Sequence, residues 1–246
     1  MNLIFKKNNI EISNLTQWKE LGHPKSSNQW KKGRSSCEMG TYAIEHTDKF
    51  KEHIETVLTE FNIPTQDFEC EPEAYAGLGN GMKTGAPRNH DLLMIGNDCI
   101  IGVEAKVSEG FDKSLISNIE SQAKKKENIE DTRGYQLYKY LMPDTQLEQI
   151  QEIGFQLFTA TRAVINDAYK HKKNNAILLV IVFTGDIDRG GSDYEEKCNK
   201  NDEDFELFKK ALRSENDKIV RSIDGKCINC YIKKVKVHLP DYTLEK

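Results

Sequence analysis

Apolar residues form two short runs near the middle of the chain, and charged residues mark where the runs begin and end. The runs are LLMIG at 92–96 and CIIGV at 99–103, and a Gly-Asn-Asp turn joins them. Runs of this length bounded by turn residues predict the two strands of a β-hairpin. A longer apolar run, AILLVIVF at 176–183, has the length and composition of a buried strand.

Helical periodicity lies on both sides of the hairpin. Between residues 36 and 61 apolar side chains recur every three or four positions, which predicts one helix that ends before Pro64. Ser35 and Glu38 fit a capping box at its start, with Ser35 as the N-cap. The other predicted elements are helices at 113–127, 132–142, 147–170 and 203–214 and an alternating strand at 227–237.

The order of these elements predicts the fold class. A helix, strands, helices and a further strand indicate an α/β fold with a mixed central sheet flanked by helices. Residues 1–34 are polar and show no regular pattern, so we expect an N-terminal extension there. Residues 35–246 are predicted to form a single domain, with the acidic segment 186–206 as a surface excursion.

Composition limits the classes of partner. The chain has 246 residues and a formal net charge of −4, so any contact with nucleic acid must use local basic patches. One candidate patch follows the hairpin; its basic residues are Lys113, Lys124, Lys125, Lys126 and Arg133. Contact with phosphate and a solvated helix face both remain open for it.

Hydropathy and cysteine usage predict the compartment. The chain has no run of the ~18 apolar residues that a membrane span needs, and its start lacks a secretory signal pattern. The six cysteines show no disulfide-framework spacing. We therefore expect a cytoplasmic protein that does not contact a membrane.

Three charged residues at the ends of the hairpin strands have a definite chemical interpretation. If the strands pair, Asp91 lies beside Glu104, and alternation puts Lys106 on the same face as Glu104. Two converging carboxylates suit Mg²⁺ or Mn²⁺, and the Ala105 carbonyl could supply another ligand. A lysine beside them can orient a water molecule or balance charge on an attacked phosphate. Simple solvation of the strand ends is the alternative interpretation.

The segment HDLLMIGNDCIIGVEAKVSE at 90–109 resembles the core of the PD-(D/E)xK nuclease superfamily, which includes restriction endonucleases and RecB-like nucleases. More loosely, the chain resembles an uncharacterised bacterial group within that superfamily, over about residues 34–183. The resemblance implies a restriction-endonuclease-like fold, with Asp91 and Glu104 as metal ligands and Lys106 as the catalytic lysine. The first motif reads His-Asp here, where the superfamily has Pro-Asp.

By the same resemblance, the protein is expected to hydrolyse phosphodiester bonds with Mg²⁺ as cofactor and Mn²⁺ as a substitute. DNA is the expected substrate, and bacterial restriction or phage defence is the expected setting. A nuclease-like fold that binds nucleic acid or protein without hydrolysis is the alternative function. Two mutually repelling carboxylates favour catalysis over that alternative. Whether the protein forms a homodimer is left open.

The superfamily often places a further acid on the helix before the hairpin. Glu38 and Glu45 are seven residues apart and share one helical face, opposite the apolar stripe. We prefer Glu38 as the catalytic acid because it lies near the helix start, while a role in capping alone remains open.

Two helical segments carry glutamines that could contact substrate. Gln136 and Tyr140 have a Q-x-x-x-Y spacing that resembles a motif beside the active site of RecB-like nucleases. Gln156, followed by Arg162, is a second candidate. Ordinary amphipathic helices contain such pairs as well, so a purely structural role is the alternative.

Overall fold

Nine strands form a single mixed sheet. The computed structural model describes residues 1–22, 30–79, 88–107, 109–125, 128–185, 194–213, 217–239 and 241–244. The strands are β1 Leu3–Lys7, β2 Ile10–Glu11, β3 Phe68–Ala76, β4 Arg88–Ile95, β5 Cys99–Lys106, β6 Asn175–Thr184, β7 Lys218–Ile223, β8 Lys226–His238 and β9 Thr243–Leu244. They lie in the order β2-β1-β3-β4-β5-β6-β8-β7, and β9 pairs with β8.

The predicted hairpin forms the centre of this sheet. Strands β4 and β5 pair antiparallel, with Leu92 opposite Val103 and Ile95 opposite Ile100. Strand β6 runs parallel to β5 on one side and to β8 on the other. Every residue of β5 and the whole apolar run of β6 are buried. Burial on both faces explains why these strands are apolar runs and do not alternate.

Helices cover both faces of the sheet. They are α1 Leu15–Gly22, α2 Ser35–Ile44, α3 Thr47–Glu60, α4 Leu115–Ala123, α5 Arg133–Leu141, α6 Phe155–Lys170 and α7 Tyr194–Ala211. The first three pack on one face through side chains such as Trp18 and Tyr42. The other four pack on the opposite face through Leu157, Phe208 and their neighbours. The predicted α/β fold with a central sheet flanked by helices is confirmed.

The single helix predicted for 36–61 is wrong, because α2 ends at Ile44 and α3 begins at Thr47. The Thr47 hydroxyl donates to the Ala43 carbonyl at 2.8 Å, the acceptor that the Thr47 amide would use in a continuous helix. The N-cap is also corrected. It is Arg34, which makes no side-chain cap bond, and Ser35 is the first helical residue.

The irregular N-terminus that we predicted is also wrong. Strand β1 pairs parallel with β3, and Trp18 of α1 is buried in the core. Strand β3 was not predicted, although its buried and polar positions alternate along the sequence FECEPEAYA. Residues before 34 therefore contribute two strands, β1 and β2, to the same sheet as the hairpin.

The acidic segment 186–206 also differs from the prediction. Residues 186–193 lie outside the described part of the chain, and α7 begins at Tyr194, nine residues before the predicted helix start at 203. Its acidic charge is balanced locally, because Asp202 accepts hydrogen bonds from Lys234 and Lys236 on β8 at 2.8 and 2.6 Å. The rest of the segment is thus a helix attached to the sheet.

Candidate active site

The ladder between β4 and β5 stops just before the charged residues. Its last pair is Leu92 with Val103, so the next position along both strands puts Asp91 opposite Glu104. The Ala105 amide donates to the Asp91 Oδ2 atom at 2.6 Å. This bond holds the Asp91 carboxylate against the backbone of β5.

Glu104, Lys106 and Gln156 form a closed set of contacts at the end of β5. Glu104 and Lys106 are only 3% and 5% exposed. The Lys106 Nζ atom lies 2.9 Å from Glu104 Oε1 and donates to Gln156 Oε1 at 2.8 Å. The Gln156 amide in turn donates to Glu104 Oε1. One side chain of α6 therefore orients both the carboxylate and the ammonium of β5.

Negative charge dominates the electrostatics here. Burial raises the pKa of Asp91 well above its usual value, and the carboxylates of Glu104 and Glu73 raise it further. The Lys106 ammonium and the bond from the Ala105 amide lower the pKa of Asp91, but less strongly. In the absence of a cation, protonation of Asp91 relieves the repulsion among the three carboxylates.

The donor set fits a hard divalent cation. Asp91 and Glu104 offer carboxylate oxygens, and Ala105 lies between Glu104 and Lys106 on the same strand. These three residues would hold Mg²⁺ or Mn²⁺. Among the described residues, no group of three or more His, Cys, Asp or Glu side chains is already arranged around a common metal position. Cation binding would thus shift Glu104, whose Oε1 atom now accepts from Lys106 and Gln156.

A comparison with family models found one match, described as "Domain of unknown function (DUF6946)", over residues 11–239. The chain belongs to this family. The matched residues begin before α1 and end just after β8, so the match includes the hairpin and helices α1 to α7. Searches of the curated proteins and of the solved structures found no match.

In this member of the DUF6946 family, Glu38 lies in a buried set of hydrogen bonds. Its Oε1 atom accepts from the Gly33 amide and its Oε2 atom from the Tyr242 hydroxyl, both at 2.6 Å. Burial and the contact with Glu38 raise the pKa of Tyr242. Glu45 lies at the opposite end of α2, as its C-cap. These contacts tie Glu38 to the residues just before α2 and to the C-terminal segment at Tyr242, and its reach to a cation stays a prediction.

The other predicted substrate-binding residues have different surroundings. Gln136 lies on α5, and its buried Oε1 atom has no hydrogen-bond partner within the described residues. The Tyr140 ring lies 4.0 Å from the Arg162 guanidinium, and its hydroxyl donates to the Ser222 carbonyl at 3.4 Å. Gln156 is thus the predicted glutamine whose contacts the structure places on Glu104 and Lys106.

The predicted basic stretch is split between two helices. Lys124 and Lys125 follow the end of α4, and Arg133 begins α5. Lys126 lies outside the described residues.

Within the described chain, no helix has the length and apolar character of a membrane span.

Sequence reasoning left His90 without a defined partner. The ring is buried, and its Nε2 atom lies 3.0 Å from Asp167 Oδ2 on α6. Gly102 makes room for it, because a Cβ atom there would come within 2.7 Å of the His90 ring. The pair fixes β4 to α6 at the residue before Asp91. The glycine inside an otherwise apolar strand was the available signal for this close approach.

Sequence reasoning also missed Glu73 and Glu109. Glu73 influences the pKa of Asp91. Glu109 accepts from the Ser35 amide at 3.3 Å and from the Val107 amide at 2.9 Å, and so joins the start of α2 to the end of β5. No local pattern marks either residue, because both act across elements that are distant in sequence.

Proposed function

We propose that this protein is a divalent-metal-dependent nuclease that hydrolyses phosphodiester bonds of DNA. The observation that carries this proposal is the convergence of Asp91, Glu104 and Lys106 at one end of the central hairpin. The buried Glu104 and Lys106 lose hydration, and the half-buried Asp91 carboxylate is repelled by Glu104. Packing alone does not explain this cost. Function explains that cost, because such groups concentrate at active sites.

Asp91 and Glu104 hold the cation in this proposal, and Mg²⁺ is the expected ion. A bound cation of this kind neutralises charge that develops on the attacked phosphate. Strand β5 and helix α6 restrain the carboxylates, since the Ala105 amide bonds to Asp91 and Gln156 bonds to Glu104. The backbone that carries both carboxylates is therefore fixed, and Glu104 would exchange its contacts with Lys106 and Gln156 for contacts with the cation.

Lys106 acts on the substrate and does not ligate the cation. An ammonium offers three donors and no lone pair. Gln156 Oε1 accepts one of these donors, and Glu104 Oε1 lies beside another. These two oxygens fix the position of the ammonium. Lys106 can thus donate to a phosphate oxygen, or position the attacking water by a hydrogen bond, without repositioning its side chain.

We also propose that the protein acts in the cytoplasm, where thiols stay reduced. Its six cysteines are present as thiols, and Cys70, Cys99 and Cys230 are buried.

The test is cleavage by the purified protein of plasmid, linear duplex and single-stranded DNA, and of RNA, with and without Mg²⁺. Wild-type protein should cut DNA only with the cation, and Asp91→Ala and Glu104→Ala should each abolish cleavage. Glu69→Ala is the matched control, because it removes an exposed carboxylate of β3 that lies opposite Ile95, at the other end of β4 from Asp91. DNA binding without cleavage under any of these conditions would contradict the proposal and assign a binding role.

A further inference from the structure

Three carboxylates lie in one row across neighbouring strands. The β3–β4 ladder pairs Pro72 with Leu92 and Ala74 with His90, so Glu73 is the residue opposite Asp91. On the other side of Asp91, the β4–β5 register puts Glu104 opposite it. Both ladders lack a regular pair at Asp91 itself. The row coincides with a local interruption of the sheet.

The interruption coincides with an unusual backbone conformation at Glu73. Its φ angle is +46°, and it is the only non-glycine residue with positive φ inside a strand of the described chain. Residues four apart in a regular strand face the same side. Cys70 nevertheless packs with the α1–α3 face, whereas Ala74 packs with the α6 face. The strand therefore changes face at Glu73.

Contacts from two other elements hold Glu73 in this conformation. The Ser36 hydroxyl on α2 donates to Glu73 Oε1 at 3.0 Å. The Lys7 ammonium on β1 donates to the Glu73 carbonyl at 2.9 Å. The carboxylate is thus fixed on the side of Asp91 that lies away from Glu104, and its charge acts on Asp91.

We infer that Glu73, on strand β3, is the third carboxylate of the cation site, in place of the predicted Glu38 on helix α2. This inference rests on the proposed nuclease function and specifies its metal ligands. Glu38 accepts from Gly33 and Tyr242, which stabilises the start of α2. The described carboxylates are not gathered around one metal position, so a cation beside Asp91 would draw in Glu73 from β3 as it would draw in Glu104 from β5.

Calorimetric titration of the full chain with Mn²⁺ tests this assignment without relying on activity. Glu73→Gln should weaken Mn²⁺ binding by about tenfold or more, the scale on which groups around a metal act. Glu38→Gln should leave the affinity unchanged. Glu69→Gln is the matched control, because it alters an exposed glutamate of the same strand that is paired with Lys6.

Glu73→Gly separates loss of the carboxylate from loss of the fold. Glycine adopts positive φ without steric cost, so the strand should keep its change of face and the variant should melt cooperatively. It should bind Mn²⁺ as weakly as Glu73→Gln. Wild-type affinity in both Glu73 variants would overturn the inference, whether or not Glu38→Gln loses affinity, and would leave the nuclease function intact. Wild-type protein that binds no Mn²⁺ would overturn both.

Discussion

Replacement of Lys106 by methionine should destabilise the metal-free protein strongly. Methionine keeps most of the side-chain volume but removes the ammonium. The ammonium is buried and lies 2.9 Å from Glu104 Oε1 and 2.8 Å from Gln156 Oε1. Its loss removes the ammonium that lies against the buried Glu104 carboxylate.

Removal of one partner of a buried ion pair costs about 3–5 kcal/mol of unfolding free energy. For a chain of this size, each kcal/mol lowers the melting temperature by about 2–4 °C. The Lys106→Met variant should therefore melt about 6–20 °C below wild type in EDTA. An exposed pair costs at most about 1 kcal/mol.

Thermal melting of four proteins in EDTA measures the effect. They are wild type, Lys106→Met, Glu104→Gln and the double variant. Because the double variant removes both members of the buried ion pair, it should recover much of the loss. Lys170→Met is the matched control: Lys170 is half exposed and lies 3.6 Å from Asp167, so its loss should lower the melting temperature only slightly. A Lys106→Met protein that melts with wild type, or a double variant no more stable than Lys106→Met, would refute this reasoning.

Three further predictions concern the same region. Lys106→Ala should slow single-turnover cleavage at saturating Mg²⁺ by ~10²-fold or more, and Lys106→Arg should not restore the full rate; a folded Lys106→Ala protein that cuts at the wild-type rate would contradict this. Because the folded pKa of Asp91 is raised, the metal-free protein should lose stability as pH rises from the unfolded pKa through the folded one. Asp91→Asn should therefore raise the melting temperature in EDTA at neutral pH, and a lower melting temperature would argue against repulsion. Gly102→Ala should cost about 1–3 kcal/mol, because the new methyl group overlaps the His90 ring; urea denaturation checks it, and an unchanged midpoint would place the ring elsewhere.

The hairpin could be predicted from the sequence because its determinants are local. Two apolar runs, a turn and flanking charges all lie within the segment 90–109. The position of Asp91 beside Glu104 follows from the length of that turn, and the contact of Lys106 with Glu104 follows from alternation. Local chemistry therefore sufficed for the centre of the candidate site.

The surroundings of the hairpin depend on contacts between distant segments. Glu73 comes into the row through the β3–β4 register, and residues 80–87 of the intervening loop lie outside the described chain. Period-two alternation in FECEPEAYA could have revealed β3, but Pro72 and the small apolar residues weaken that signal. The charges at 194–202 hid the first part of α7, because the lysines that balance Asp202 belong to β8.

The parallel pairing of β6 has a consequence for how the chain is made. Its apolar run at 176–183 is covered on one edge by β5 and on the other by β8, where Asn175 faces Asn229. During synthesis β6 emerges from the ribosome well before β8, so one edge of this apolar strand stays unpaired until β8 has been made. Parallel, non-local pairing forms slowly, and an open apolar edge recruits other chains. Expression at low temperature and low chain concentration should accordingly favour soluble protein over inclusion bodies, because self-association competes with the arrival of the last large strand.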